Sequence, residues 1–192
     1  RVFGEGFNKS STTVVTQQTD LFGNVVGETI SYTTVITAPE PVLELPEVKA
    51  LNTIENIAHN YQLADTPELR KALVELLMKQ ERISFDTETT GTDANLADLV
   101  GLSFSIKPGE GYYVPVPPER ATAQQIVEEF RPVLENADIV KIGQNIKYDM
   151  LILKWYGVAV KGRLFDTMLA HYLIDPDTRH NMDVLAENYL NY

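Results

Sequence analysis

The chain has no cysteine. Disulfide frameworks and thiolate metal sites are therefore excluded. No apolar run approaches the ~18 residues of a membrane-spanning helix, and no signal-peptide pattern stands at the start. No internal repeat is visible. Histidine is scarce: His59, His171 and His180 are the three, and none has ligand spacing to another. Basic charge is also short. There are 16 Lys and Arg against 27 Asp and Glu, a net charge of −11. A nucleic-acid binder usually carries a basic footprint. The shortage is uneven, however. From Lys141 to Arg163 the basic residues Lys141, Lys147, Lys154, Lys161 and Arg163 face a single acid, Asp149. Most of them read as solvated lysines on helix surfaces.

What is present divides in two. Residues 1–41 are polar and Thr-rich, and end in Ala38-Pro39-Glu40-Pro41. They read as a linker with a weak hairpin around Gly23-Asn24. Residues 42–192 alternate strand and helix. Leu69, Leu73, Leu76 and Leu77 at helical spacing predict a helix over 66–79, capped by Asp65 or Thr66. Strands are expected near 82–87, 98–106 and 111–116. A helix is expected from about 122 to 134, with the stripe Ile126, Val127, Phe130 and Leu134. Then follow a strand at 138–142, a helix at 147–156, a short strand at Leu164-Phe165, and helices at 167–174 and 182–190. Periodicity supports an α/β fold.

Two stretches carry the chemistry. Asp86-Thr87-Glu88 ends the strand-like run Arg82-Ile83-Ser84-Phe85. Side chains alternate along a strand, so Ser84, Asp86 and Glu88 share one face and Ile83, Phe85 and Thr87 the other. Asp86 and Glu88 become adjacent hard oxygen donors of the kind magnesium and manganese prefer. Taken alone, such a pair is most simply an exposed acidic strand end. The second stretch, Asn145-Ile146-Lys147-Tyr148-Asp149, follows Asp138-Ile139-Val140-Lys141-Ile142 and opens a helix. Asn145 is placed to cap that helix. Asp149 lies in its first turn, where the helix dipole favours negative charge. Joined to the upstream pair at strand ends, where ligands gather in open α/β sheets, the three carboxylates suit shared divalent ions.

Asp166 reads as a helix N-cap, Asp175 and Asp177 as turn residues around Pro176. Gly109-Glu110-Gly111 reads as a hairpin turn rather than a phosphate loop. Trp155 and Tyr156 close a helix as core or lid. Tyr148 is either a packed aromatic or a stacking platform for a single-stranded base.

Ile83-Ser84-Phe85-Asp86-Thr87-Glu88-Thr89 resembles the first motif of the DEDD exonucleases, and the run from Val140 to Asp149 resembles the second. Leu99–Ser105, Tyr112–Val116, Phe165–Ala170 and Asp183–Glu187 continue the likeness. Together they resemble the 3′→5′ proofreading domain of bacterial family A DNA polymerases, from about Val42 to Tyr192. The resemblance implies a ribonuclease H-like mixed sheet flanked by helices. It also implies two Mg2+ (or Mn2+) ions and hydrolysis of 3′-terminal phosphodiester bonds in replication and repair. Asp86 would bridge both ions, Glu88 would hold the one that activates water, and Asp149 the other. Thr89, Gln144, Asn145 and Tyr148 match positions lining the frayed 3′ end of single-stranded DNA. Thr92 stands where the family often has a Leu wedge, a departure from the family pattern at that position.

The family's third motif, a Tyr followed four residues later by Asp, is missing. Ile152, Val160 and Pro176 stand four residues after Tyr148, Tyr156 and Tyr172. With Arg1 at the start, the chain reads as a piece of a longer polypeptide, cut before that motif. Polymerase and 5′-nuclease domains of the same full-length chain are then expected partners. A cytoplasmic, nucleoid-associated bacterial setting is expected, without a membrane. A dimer of the piece, or its own Thr12–Val15 and Ile30–Val35 segments, would cover sheet surface left open. The alternatives are an inactive spacer domain, disfavoured by the retained Asp86, Glu88 and Asp149, and a stand-alone RNA-trimming exonuclease of the same fold.

Overall fold

The computed structural model describes residues 8–19, 25–37 and 51–192. It divides into two compact units, Arg1–Lys49 and Ala50–Tyr192. In the first, β1 (Asn8–Thr19) and β2 (Val25–Thr37) form an antiparallel hairpin, with Thr12 opposite Thr33 and Val15 opposite Ile30. The hairpin is much longer than the linker reading suggests, because β-branched residues make up half of β1 and most of β2. The turn proposed at Gly23-Asn24 lies outside the described residues.

The second unit holds a six-stranded mixed sheet in the order β3-β6-β5-β4-β7-β8. The strands are β3 (Asn60–Leu63), β4 (Arg82–Thr89), β5 (Leu99–Ser105), β6 (Glu110–Pro115), β7 (Val140–Gly143) and β8 (Leu164–Asp166). β4, β5 and β6 form an antiparallel meander; β7 and β8 extend it in parallel on one side and β3 on the other. This is the mixed α/β sheet expected from the resemblance. The strand β3 escaped the sequence reading. All four of its residues are exposed at a sheet edge, so no alternation marks it.

Helices cover the sheet: α1 (Pro67–Leu77), α2 (Arg120–Glu129), α3 (Arg131–Leu134), α4 (Ile146–Trp155), α5 (Thr167–Ile174) and α6 (Met182–Leu185). Thr66 caps α1 through its side chain, with Pro67 at the first helical position. The single helix expected over 122–134 is two, broken at Phe130 just before Pro132, whose ring cannot continue the ladder. The helix expected over 182–190 passes into a π-helical turn at Ala186–Leu190.

The core lies between sheet and helices. Ile83, Phe85, Leu102, Phe104 and Val114 meet Leu73, Leu77, Val127, Phe130, Val133, Ile152 and Leu153, all nearly inaccessible. Phe104 stacks on Phe130 with ring centroids 5.1 Å apart. Lys141 is wholly buried, contrary to the solvated reading. Its ammonium is held by the carbonyls of Asn136 and Lys161, and burial lowers its pKa. The packing fixes β4 with one face inward and the other, bearing Ser84, Asp86 and Glu88, turned outward.

Candidate active site

Strand alternation places the first two carboxylates as expected. Along β4, Ile83, Phe85 and Thr87 are buried, while Ser84 and Asp86 are half-buried and Glu88 exposed. Cross-strand pairing puts Ser103 opposite Asp86 and Gly101 opposite Glu88. Gly101 leaves room for Tyr113, whose hydroxyl would lie 2.3 Å from an added Cβ. A cleft of about 520 Å³ opens on the same face, lined by Ser84, Asp86, Ser103, Ser105, Tyr113 and Met182.

Asp149 comes from the other side. Pairing of β4 with β7 ends at Ser84↔Ile142. Beyond that point the Thr87 N–H donates to Asp149 Oδ1 at 2.9 Å in place of a strand carbonyl. The Thr87 hydroxyl donates to the same oxygen at 2.6 Å. Asp149 is 2% exposed. The first turn of α4 thus brings a carboxylate under the tip of β4, within electrostatic reach of Asp86.

The start of α4 differs from the sequence reading. Asn145 occupies the N-cap position, but its backbone is left-handed (φ 55°, ψ 42°) and its side chain makes no capping bond. Asp166 does that work. Its carboxylate accepts the N–H groups of Asn145 and Ile146 at 3.1 and 3.0 Å. It also caps its own helix α5 through Met168 and Leu169 at 2.9 and 3.2 Å. The expected cap role of Asp166 is present and doubled. The sequence signal for this is faint: a single Asp at a strand end, with the second helix 20 residues away.

The remaining site residues tie loops together. Tyr148 and Thr89 share a hydrogen bond between hydroxyls at 2.6 Å, and the Tyr148 hydroxyl also reaches the Gly91 carbonyl. Gln144 uses both ends of its amide: it donates to the His180 carbonyl at 2.6 Å and accepts from the Thr167 hydroxyl. Asn145, Lys147 and Tyr148 line a second cleft, of about 780 Å³, against the 92–95 loop. His171 and His180 meet Nδ1 to Nδ1 at 2.7 Å, which holds the 175–181 segment against α5. Trp155 is exposed, and Tyr156 is core, its hydroxyl accepting the Leu99 N–H.

The electrostatics follow from the crowding. Burial, then the charges of Asp149 and Glu88, push the Asp86 carboxyl up to about 6. Burial also raises Asp149, while the two Thr87 bonds pull it down and Asp166 pushes it up. A carboxylate raised in this way by like-charged neighbours is relieved by a cation. The donors are hard oxygens, which fits magnesium or manganese. Among the described residues, no three His, Cys, Asp or Glu side chains converge closely enough to cage an ion by themselves. Magnesium does not need such a cage, since it keeps waters and takes one or two carboxylates together with substrate phosphate.

Comparison with known proteins identifies the family. Residues 61–192 match the family model described as 3′-5′ exonuclease. The chain is 40% identical over 130 residues to DNA polymerase I of Pseudomonas aeruginosa, covering 63% of this chain and 14% of that protein. It is 38% identical over 143 residues to DNA polymerase I of Borreliella burgdorferi, covering 73% and 16%. The chain thus spans about a seventh of these relatives' length. Brucella melitensis NrnC with bound Mg2+ shares the fold, with a TM-score of 0.54, 20% identity, and coverage of 71% of this chain and 63% of that one.

Proposed function

Because the chain belongs to the 3′-5′ exonuclease family, whose hydrolysis depends on divalent metal, we propose that it removes nucleotides from single-stranded or frayed 3′ ends of DNA. The observation that carries the reading is the crowding of Asp86, Glu88 and Asp149 at one strand end, with Asp86 pushed up to about 6 by burial and by its two neighbours. Two divalent cations, Mg2+ or Mn2+, would supply there a water made nucleophilic at neutral pH and a counter-charge for the departing 3′ oxygen.

The chain's own groups do the holding. Asp86, half-buried and under the charge of the other two carboxylates, would be a central ligand for the cations. Glu88, exposed at the strand tip, would help hold the cation that activates water. Asp149 offers one oxygen from beneath. Tyr148, its hydroxyl fixed by Thr89 and Gly91, presents its ring toward the strand-end loop, where a terminal base would stack. Asn145 and Thr89 contact the frayed end, and Gln144 steadies the loop that carries it. Lys147 and Lys154, beside Tyr148 in the second cleft, answer the phosphate charge that the acidic remainder would repel.

In the full-length setting this activity is proofreading within DNA polymerase I, in DNA replication and repair. The polymerase and 5′-nuclease domains of the same chain are then its partners, and the setting is the bacterial cytoplasm. The resemblance to DNA polymerase I relatives supports this reading over RNA trimming. The test is release of nucleotides from a 3′-labelled oligonucleotide in magnesium by the full-length protein and by its Asp86→Ala/Glu88→Ala variant. The variant should lose degradation and keep polymerisation. Parental rates of 3′ nucleotide removal in the variant refute the reading.

A further inference from the structure

We propose that Thr87 is a positioning residue for this hydrolysis: by clamping one oxygen of Asp149 it fixes the other as the ligand atom. The inference rests on the metal-dependent reading above. Thr87 stands between Asp86 and Glu88 but points the opposite way. It is 6% exposed and sits on the helix side of the sheet. A substrate on the outer face cannot touch it, so any part it has in the reaction acts through a neighbour.

That neighbour is Asp149. The Thr87 N–H and hydroxyl converge on a single carboxylate oxygen, Oδ1, at 2.9 and 2.6 Å. Two donors fill the lone pairs of that oxygen. Oδ2 is left as the oxygen for a cation, bound singly or through water. The β-branched Thr side chain has few rotamers, and its backbone is pinned by pairing with Leu102 on β5. The tripeptide Asp86-Thr87-Glu88 therefore sets three carboxylates: two it carries, and a third it orients from 62 residues along the chain. Partners of this kind, one step removed from the metal, affect ion affinity without touching the ion.

The test compares parent, Thr87→Ser and Thr87→Val. Valine keeps the shape and the backbone N–H but has no hydroxyl. Mn2+ binding is followed by electron paramagnetic resonance on the folded protein, and the Mg2+ dependence of nucleotide release from a 3′-labelled oligonucleotide runs beside it. Thr87→Val should weaken Mn2+ binding roughly tenfold and raise the half-saturating Mg2+ by a similar factor, while Thr87→Ser stays within about twofold of the parent. The KM for oligonucleotide should not move. Melting curves accompany each variant, and if Thr87→Val does not fold, Thr87→Cys, a weak donor, takes its place with the same expected direction. Parental Mn2+ affinity in Thr87→Val, with binding lost in Asp86→Ala/Glu88→Ala, sinks the role of Thr87 alone. A loss in Thr87→Val that Thr87→Ser shares marks packing and also sinks it. Parental Mn2+ affinity in Asp86→Ala/Glu88→Ala overturns the metal reading and this inference with it.

Discussion

Glu135 meets Lys161 and Arg131 at 2.6 Å each and accepts the Ala159 N–H at 3.2 Å. The charged neighbours that act on Asp86 are Asp149 and Glu88. The surroundings act in opposite directions on the same chemical group. Lys161 and the Ala159 amide pull the Glu135 carboxyl down to about 2, while burial and like charge push Asp86 up to about 6. The Glu135 cluster closes on itself: Arg131 also pairs with Glu128 and donates to the Gly157 carbonyl, joining α3 to the segment after α4. Among the described residues, the groups that shift Asp86 include no cation. One region spends its charges on holding segments together; the other, on the proposed function, holds them against repulsion for a cation.

Exchanging carboxylates for amides separates the two regions most sharply. Asp86→Asn with Asp149→Asn should lower metal-dependent nucleotide release by about a thousandfold or more, as expected when a cooperating set of groups is broken. In metal-free buffer at neutral pH the same variant should melt no lower than the parent, because mutual repulsion is gone. Glu135→Gln should do the reverse, lowering the melting temperature while leaving release per folded molecule unchanged. A large activity loss in Glu135→Gln at full folding, or a marked fall in melting temperature for the Asp86/Asp149 variant, would erase the distinction.

A smaller effect lies in pH. The folded-state pKa of Asp86 is raised from 3.8 to about 6. The folded state therefore binds the proton more tightly than the unfolded chain, and this group's contribution to stability falls as pH rises from 4 to 6. A shift of that size corresponds to about 3 kcal/mol as a ceiling, and solvent screening at this half-exposed site reduces it to roughly 1 kcal/mol. Glu135 slopes the other way: its folded pKa is depressed from 4.5 to about 2, so its stabilisation is present above 4.5 and is lost as pH falls through that range. Urea unfolding from pH 3 to 7 should show the rising arm vanish in Glu135→Gln and the falling arm vanish in Asp86→Asn. The smallest effect is a control at a third place: Thr66→Ala removes the cap of α1 and should cost about 1 kcal/mol with no change in hydrolysis.

The sequence makes β4 legible because its alternation is strict, and the outward face of Asp86 and Glu88 follows from parity alone. The three carboxylates are legible as candidates from the two motifs, but the direction from which Asp149 arrives is not. Its burial against Thr87 depends on where β7 stops pairing, which no local pattern records. Asn145 looked like a cap from composition, yet the cap is Asp166, because a carboxylate distant in sequence competes for the same N–H groups. Lys141 was read as solvated from its charge. Two carbonyls of neighbouring turns make its burial tolerable, and such partners are visible only in the folded chain. The edge strand β3 had no apolar face to announce it.

The single carboxylate of Asp166 ties the first turns of α4 and α5 into one unit of motion. Helix ends normally fray independently, each amide opening on its own. Here the N–H groups of Asn145, Ile146, Met168 and Leu169 share one acceptor group, so the loss of that carboxylate frees all four together. Amide hydrogen exchange should therefore show these four protons protected to a similar degree and released as a group in Asp166→Ala. The opening that exposes them would also loosen the turn that carries Tyr148 and Asp149. Local breathing at a position outside the carboxylate cluster would then limit how long the cluster stays assembled.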